Sequence, residues 1–263
     1  EIGGLLRNAH LVENYPGFPD GIGGVELVTL FKRQLQNAGV EVCFEKVIEL
    51  HYSDEVFFTR TDKRTIRSDR VAIAAGTKPV TIVDPHISDD VKDRIFYEIY
   101  PIRGIENKKI VIIGAGDAAF DYALNLSRKN KVMLLNRSEK VKCLPLLRER
   151  CVKSESITYI CNARARAIHN NGPGLLITYS NKDSNEEIHI NADFLIGALG
   201  REPCLDFLDN ELKNTMGALT TAHKLHMIGD IKNSIYRQTA ICVGDGIKTA
   251  MEIYQHSEEQ KHR

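Results

Sequence analysis

Gly114, Gly116 and Ala119 follow an apolar run at residues 110–113, with the spacing GxGxxA. A glycine at the first position lets the chain leave a strand sharply, and one at the second leaves room for a pyrophosphate. A small residue at the third lets a helix lie close to the strand. Residues 118–127 supply that helix, and its free N–H groups, opening beside Asp117, can receive a diphosphate. A second apolar strand at 131–135 completes a strand, turn, helix and strand suited to a dinucleotide.

The end of the second strand tells one dinucleotide from another. An acid there would accept hydrogen bonds from an unmodified ribose, but the residues are Asn136, Arg137 and Ser138. Arg137 and Lys142 can neutralise a 2′-phosphate and Ser138 can donate to it, which favours NADPH over NADH. Glu139 weakens that reading if it turns inward, and a solvated basic surface is the alternative for Lys140 and Lys142. Near the far end, LHMIGDI closes an apolar strand with Gly229 and Asp230, ahead of a helix expected over 239–256. An aspartate so placed can bind ribose hydroxyls or cap a turn, while the helix N-terminus can stabilise electron density on a reduced flavin. His10, His223 and His226 lack a nucleophile or carboxylate at diagnostic spacing and read as surface or core residues.

The elements that must carry these residues repeat themselves. VELVTLFKRQLQNA, residues 25–38, places Leu27, Leu30, Phe31 and Leu35 on one helix face. VEVCFEKVIEL, EVFFTR and RTIR alternate like short antiparallel strands, and VAIAA at 71–75 is a continuous apolar strand ending at Gly76. The same order recurs over 157–169, LLITYSNK, EEIHI and FLIGAL, ending at Gly200. GTKP at 76–79 and GREP at 200–203 continue the parallel, so two related α/β units are expected. The second opens with a full strand, glycine loop and helix, whereas the first has no matching opening.

Composition narrows the partners. Of 263 residues 43% are hydrophobic, enough for one large core or two modest ones. Thirty-five basic residues balance thirty-five acidic ones, so no broad field draws nucleic acid or an anionic membrane, and phosphate recognition must be local. No apolar run is long enough to span a bilayer, and the opening residues lack a signal-peptide pattern, which reads as a cytoplasmic chain. The six cysteines show no CxxC or zinc spacing; VEVCF and TAICVG read as sites of buried packing thiols.

Five blocks in order carry a family resemblance: VENYPGFPDGIGGVEL from residue 12, VAIAAGTKP from 71, VIIGAGDAAFDYALNLS from 111, ALGREP from 198, and IGDI with YRQTAICVGDGIKTAMEI from 228 onward. With them the chain resembles the low-molecular-weight thioredoxin reductase family and its flavin-dependent relatives. The resemblance implies an α/β fold of two Rossmann-like three-layer nucleotide-binding units, the second inserted into an incomplete first. Residues 1–105 and 222–263 would form the FAD-type unit and 106–221 the NAD(P)H unit, hinged near Gly104 and Thr220. It further implies that Asn14 faces flavin, that Gly229 and Asp230 belong to the late FAD motif, and that Gln238, Thr239 and Ala240 lie beside the isoalloxazine. A homodimer is implied in the same way.

Two departures bear on activity. The family's N-terminal FAD strand and glycine loop do not precede Glu1, and where its redox CxxC would fall the chain reads FYEIYPIRGIENKK. Thiol–disulfide exchange needs an attacking thiolate and a resolving partner. Tyr97, Glu98 and Tyr100 stand there instead, as the wall of a different acceptor pocket or as packing residues. The expectation is an FAD-dependent NADPH oxidoreductase with an unidentified electron acceptor; the alternative is a catalytically inactive nucleotide-binding regulatory or interaction protein. Arg201 and Glu202 belong either to the nucleotide pocket or to a packed turn.

Overall fold

A computed structural model describes residues 1–85, 87–182 and 186–261. In chain order come helix α1 (Gly24–Asn37) and strands β1 (Val47–Ser53), β2 (Val56–Thr61), β3 (Thr65–Ser68), β4 (Val71–Ile73), β5 (Thr77–Pro79) and β6 (Ile95–Phe96). Next come β7 (Lys109–Ile113), α2 (Asp117–Leu126), β8 (Lys131–Leu135), α3 (Pro145–Val152), β9 (Ile157–Ile160), β10 (Ala163–Asn171), β11 (Gly174–Asn181), β12 (Glu187–Ala192) and β13 (Phe194–Gly197). The last part holds β14 (Arg201–Pro203), α4 (Asn210–Thr221), β15 (Leu225–Met227) and α5 (Thr239–Lys261).

The run IVII becomes the middle of a parallel sheet with the order β6-β13-β7-β8-β9. Successive side chains of a strand point to opposite faces, and a parallel sheet is covered on both. Ile110 and Ile112 accordingly pack with Phe120, Ala123 and Leu126 of α2 and Cys151 of α3. Val111 joins Leu135 and Leu195 against Ile168, Leu175, Ile177 and Tyr179 of the antiparallel sheet β10-β11-β12. Helices, parallel sheet and antiparallel sheet thus make the three layers expected of a Rossmann-type unit.

The other unit gathers the antiparallel sheet β1-β2-β3 and the parallel pair β4-β15. Its core joins Leu50, Phe57 and Ile73 to Leu208, Leu212, Leu219 and Leu225. Asp209 caps α4 by accepting from the Leu212 amide at 2.6 Å. Leu212 and Leu219 of α4 thus pack in this core, while β6 pairs in parallel with β13. Thr220 lies in the last turn of α4, and β14 returns to pair with β5. There the repeated motifs meet: β5 from GTKP pairs antiparallel with β14 from GREP, each leaving a glycine with positive φ, +64° at Gly76 and +110° at Gly200.

Some expected strands are shorter. Residues 41–46 form no strand, and β1 begins only at Val47. Val40, Val42 and Phe44 are exposed, because alternation gives a segment a preferred face but not a neighbour to pair with. Cys43 is exposed with them rather than buried, Cys242 is half-buried, and Cys151 is the cysteine sealed in the core. VAIAA yields only the three residues of β4.

Leu212 tests the assignment of α4. Leu212→Ala removes a fully buried side chain and is expected to cost about 3 kcal/mol of stability. Hydrogen exchange should quicken in β4 and β15 and stay unchanged in β7; equal quickening in β7 would contradict this packing.

Candidate functional site

At the exit of β7 the backbone at Gly114 adopts φ +146°, and a Cβ placed there would lie 2.2 Å from the carbonyl oxygen of Ala198. Only glycine fits so close to β13's continuation. Gly116 meets no such wall: the nearest atom to a Cβ at that residue is the Lys142 carbonyl oxygen, at 4.0 Å. Ala119 is fully buried at the contact between α2 and the sheet. Asp117 and Ala118 are exposed at the mouth of α2, so its first N–H groups open outward. The Asp117 carboxylate is not free, since it accepts from the Leu144 amide at 2.7 Å.

The segment after β8 folds back over this turn. Lys142 donates its amide to the Ala115 carbonyl at 2.9 Å and bridges in parallel to Gly116. Arg137 and Lys142 are exposed, and among the described residues their head groups hold no hydrogen bond or ion pair. Glu139 is turned toward Asn162, whose amide donates to it at 3.3 Å. Cys143 is half-buried beside Asp117; burial first, and then that carboxylate, raise its pKa, which suits a packing thiol.

The second group of candidates converges from opposite ends of the chain. Asn14 Nδ2 donates to Gln238 Oε1 at 2.7 Å, and Gln238 precedes α5, where Thr239 and Ala240 form the first turn. Gly229 sits at φ +73° with its amide donated to Asp245 Oδ2 at 3.0 Å. Asp245, absent from the sequence reading, also accepts from Asn233 and pairs with Lys232 at 3.0 Å. Burial acts to raise its pKa, but those hydrogen bonds outweigh it and lower the carboxyl overall. Cys242 Sγ donates to Asp230 Oδ1 at 3.1 Å; burial and then that carboxylate push the thiol up to about 12. One residue before Gln238, Arg237 has a buried Nε with no hydrogen-bond partner among the described residues, while its Nη1 donates to the Arg201 carbonyl. An unpaired buried donor beside Asn14 and Gln238 suits the polar edge of a flavin ring.

A third cluster forms in FYEIYPIRG, the segment where the family resemblance implies a CxxC. Glu98 accepts from Asn8 Nδ2 at 2.6 Å and from the Tyr122 hydroxyl at 2.9 Å, and it pairs with Arg201. Arg201 also donates to the Thr77 side chain and carbonyl, so it belongs to this junction and not to the nucleotide turn. Tyr97 accepts the Ile82 amide at 3.0 Å, and the Tyr100 ring lies against the guanidinium groups of Arg7 and Arg103. The side chains of Tyr97, Glu98 and Tyr100 are thus all engaged by neighbours at the junction. All six cysteines are free. His10 contacts Arg128, and burial followed by that charge lowers its pKa.

A glycine turn opening onto a helix in a three-layer unit, beside a second α/β unit with its own Gly-Asp turn, defines a two-unit Rossmann-type nucleotide-binding protein. Residues 26–224 match the pyridine nucleotide-disulphide oxidoreductase family, and the chain belongs to it. It is therefore a thioredoxin-reductase-like member of an NAD(P)/FAD oxidoreductase family, divergent in lacking a CxxC pair. Thioredoxin reductase 2 of Arabidopsis thaliana is 25% identical, covering 98% of this chain and 72% of the relative. Thioredoxin reductase of Chlamydia pneumoniae is 26% identical over 95% of this chain and 85% of its own length. Lactococcus lactis thioredoxin reductase in its FR conformation superposes with a TM-score of 0.86 at 25% identity, covering 98% of this chain and 88% of that one. Among the described residues no helix is long and apolar enough to cross a membrane.

Asp121, one turn into α2, offers a check on how dry this helix is. Burial and then Asp117 push its carboxyl up to about 6, above the ordinary 3.8. A raised folded pKa means that its protonated form stabilises the fold below pH 4 and that this contribution is lost as pH rises through 6. Asp121→Asn should therefore be more stable than the parent above pH 6, by about 2 kcal/mol, with the gap closing toward pH 4. Denaturant melts across that range measure it; a pH-independent gap would contradict the burial.

Proposed function

We propose that this chain is an FAD-dependent NADPH oxidoreductase that delivers electrons to an acceptor other than a CxxC disulfide. The observation that carries the reading is a pair of exposed cations, Arg137 and Lys142, whose head groups hold no partner among the described residues, beside a glycine turn whose helix entrance is open. In it, the N–H groups at the start of α2 hold the diphosphate, and the two cations neutralise a 2′-phosphate. Asn14, Gln238 and the start of α5 orient the flavin end, while Asp230, held by Cys242, faces the ribityl and phosphate portion. When bound, FAD supplies the two-electron relay between NADPH and the acceptor. The family match and the resemblance to curated thioredoxin reductases support this reading, and the free, unpaired cysteines weigh against a dithiol route. Core packing further supports a division in which Ile82, Val91 and residues 95–197 belong to the nicotinamide unit, and Leu208, Leu212, Leu219 and Leu225 to the flavin unit.

One observation favours a second reading, a nucleotide-binding regulatory protein without turnover. All six cysteines are free and none stands in a CxxC pair, so the dithiol step has no carrier among these residues.

The absorbance spectrum of the purified protein, recorded before and after anaerobic NADPH, separates the two. The oxidoreductase predicts a flavin band that bleaches on mixing; NADPH binding by calorimetry with no flavin reduction after FAD reconstitution would leave the regulatory reading. Arg137→Ala should weaken NADPH about tenfold and leave NADH unaffected, since a charge-assisted phosphate contact is lost. Equal losses for both nucleotides, read in the same titration, would count against the phosphate role.

A further inference from the structure

We infer that Asn136, braced by Tyr159, is the positioning residue that shapes the phosphate-reading loop 136–142 and so sets the choice between the two nicotinamide dinucleotides. The inference rests on the NADPH reading above and concerns a residue with no direct place in it.

Asn136 occupies the end of β8, where an acid would read ribose hydroxyls, yet it is only 4% exposed. Its carboxamide is spent on the loop itself. Oδ1 accepts the Ser138 amide at 3.2 Å, and Nδ2 donates to the Lys140 carbonyl at 3.1 Å and to the Tyr159 hydroxyl at 2.9 Å. The main chain is tied as well, with the Asn136 amide on the Ile160 carbonyl and the Asn136 carbonyl accepting from Ala163. Both amide hydrogens and the carbonyl are engaged, so the side chain cannot turn to a ribose without breaking the turn that it makes.

The loop is held at its far end too, where Lys142 bonds to Ala115 in the glycine turn. Tyr159 adds a lateral brace: its ring lies 5.8 Å from that of Phe120, a fully buried residue of α2. Asn162 draws Glu139, the only acid between residues 136 and 142, toward the β9–β10 connection. What remains outward on the loop is Arg137, Lys140 and Lys142. A cation cluster fixed before its anion arrives avoids the ordering cost of binding, and this preorganisation favours the nucleotide that carries the extra phosphate.

Isothermal titration of the parent, Asn136→Ala, Tyr159→Phe and Arg137→Ala with NADPH and with NADH tests the idea. Tyr159→Phe keeps the ring packing and removes one hydrogen bond, so it serves where Asn136→Ala folds poorly. Each of these two variants should lose about fivefold in NADPH affinity while NADH affinity holds, the loss expected of a broken hydrogen bond. Parallel loss of both nucleotides, or no loss of either, overturns the positioning role. If Arg137→Ala abolishes the preference while the other two variants keep it, this inference alone falls. A parent that does not distinguish the nucleotides removes the NADPH reading and the inference together.

Discussion

Glu98 is a carboxylate placed where little water reaches, with its side chain 25% exposed and that of its partner Arg201 17% exposed. A charge in such surroundings must be paired and hydrogen-bonded or it destabilises the fold that buries it. Its partners come from four places: Asn8 in the N-terminal segment, Tyr122 on α2, Arg201 on β14 and, through Arg201, Thr77 on β5. The burial that holds the Tyr122 hydroxyl well above its ordinary pKa, reinforced by Glu98, keeps it a donor. The α2 helix that opens at the glycine turn is thus tied by a side chain to the ribbon on which the chain leaves and re-enters the first unit. This one acid therefore links the N-terminal segment, α2 and the β5–β14 ribbon at a single point.

Much of the second unit could be read from residue pattern because its signals are local. The strand at 109–113, the turn at Gly114 and the helix to Leu126 lie within one continuous stretch, and alternation within IVII states which residues face each layer. The motif pair GTKP and GREP was visible as a repeat, but not that the two copies would pair with each other. Glu98 and Arg201 are separated by 103 residues, and nothing in FYEIYPIRG marks the acid as a junction. Asn14 and Gln238 stand 224 residues apart and were joined only by family resemblance. VEVCF misled because its alternation is real while its neighbour is lacking among the described residues.

The start of α5 shows a different economy of residues. Gly229, Asp230, Cys242 and Asp245 form two pairs across two elements, an amide on one carboxylate and a thiol on the other. The Cys242 thiol acts here as a hydrogen-bond donor, and its raised pKa removes it from thiolate chemistry. Asp245 had no signal in the sequence beyond being an acid in a helix, yet it secures the left-handed Gly229 that precedes Asp230. Helix and turn are fastened before any ligand is considered.

Helix α3 runs between the two sites. Just before it, the Leu144 amide holds Asp117 at the nucleotide turn; near its end, Arg150 grips Glu13 with two hydrogen bonds of 2.8 and 3.1 Å, next to Asn14. Eight helical residues make a strut about 12 Å long. The Glu13–Arg150 pair is 45% and 41% exposed, so water readily substitutes for either partner, unlike at Glu98. The two ties therefore differ in how water competes for them: the Glu98–Arg201 pair is shielded, whereas the Glu13–Arg150 pair is bathed in solvent and holds α3 to the N-terminal segment only weakly.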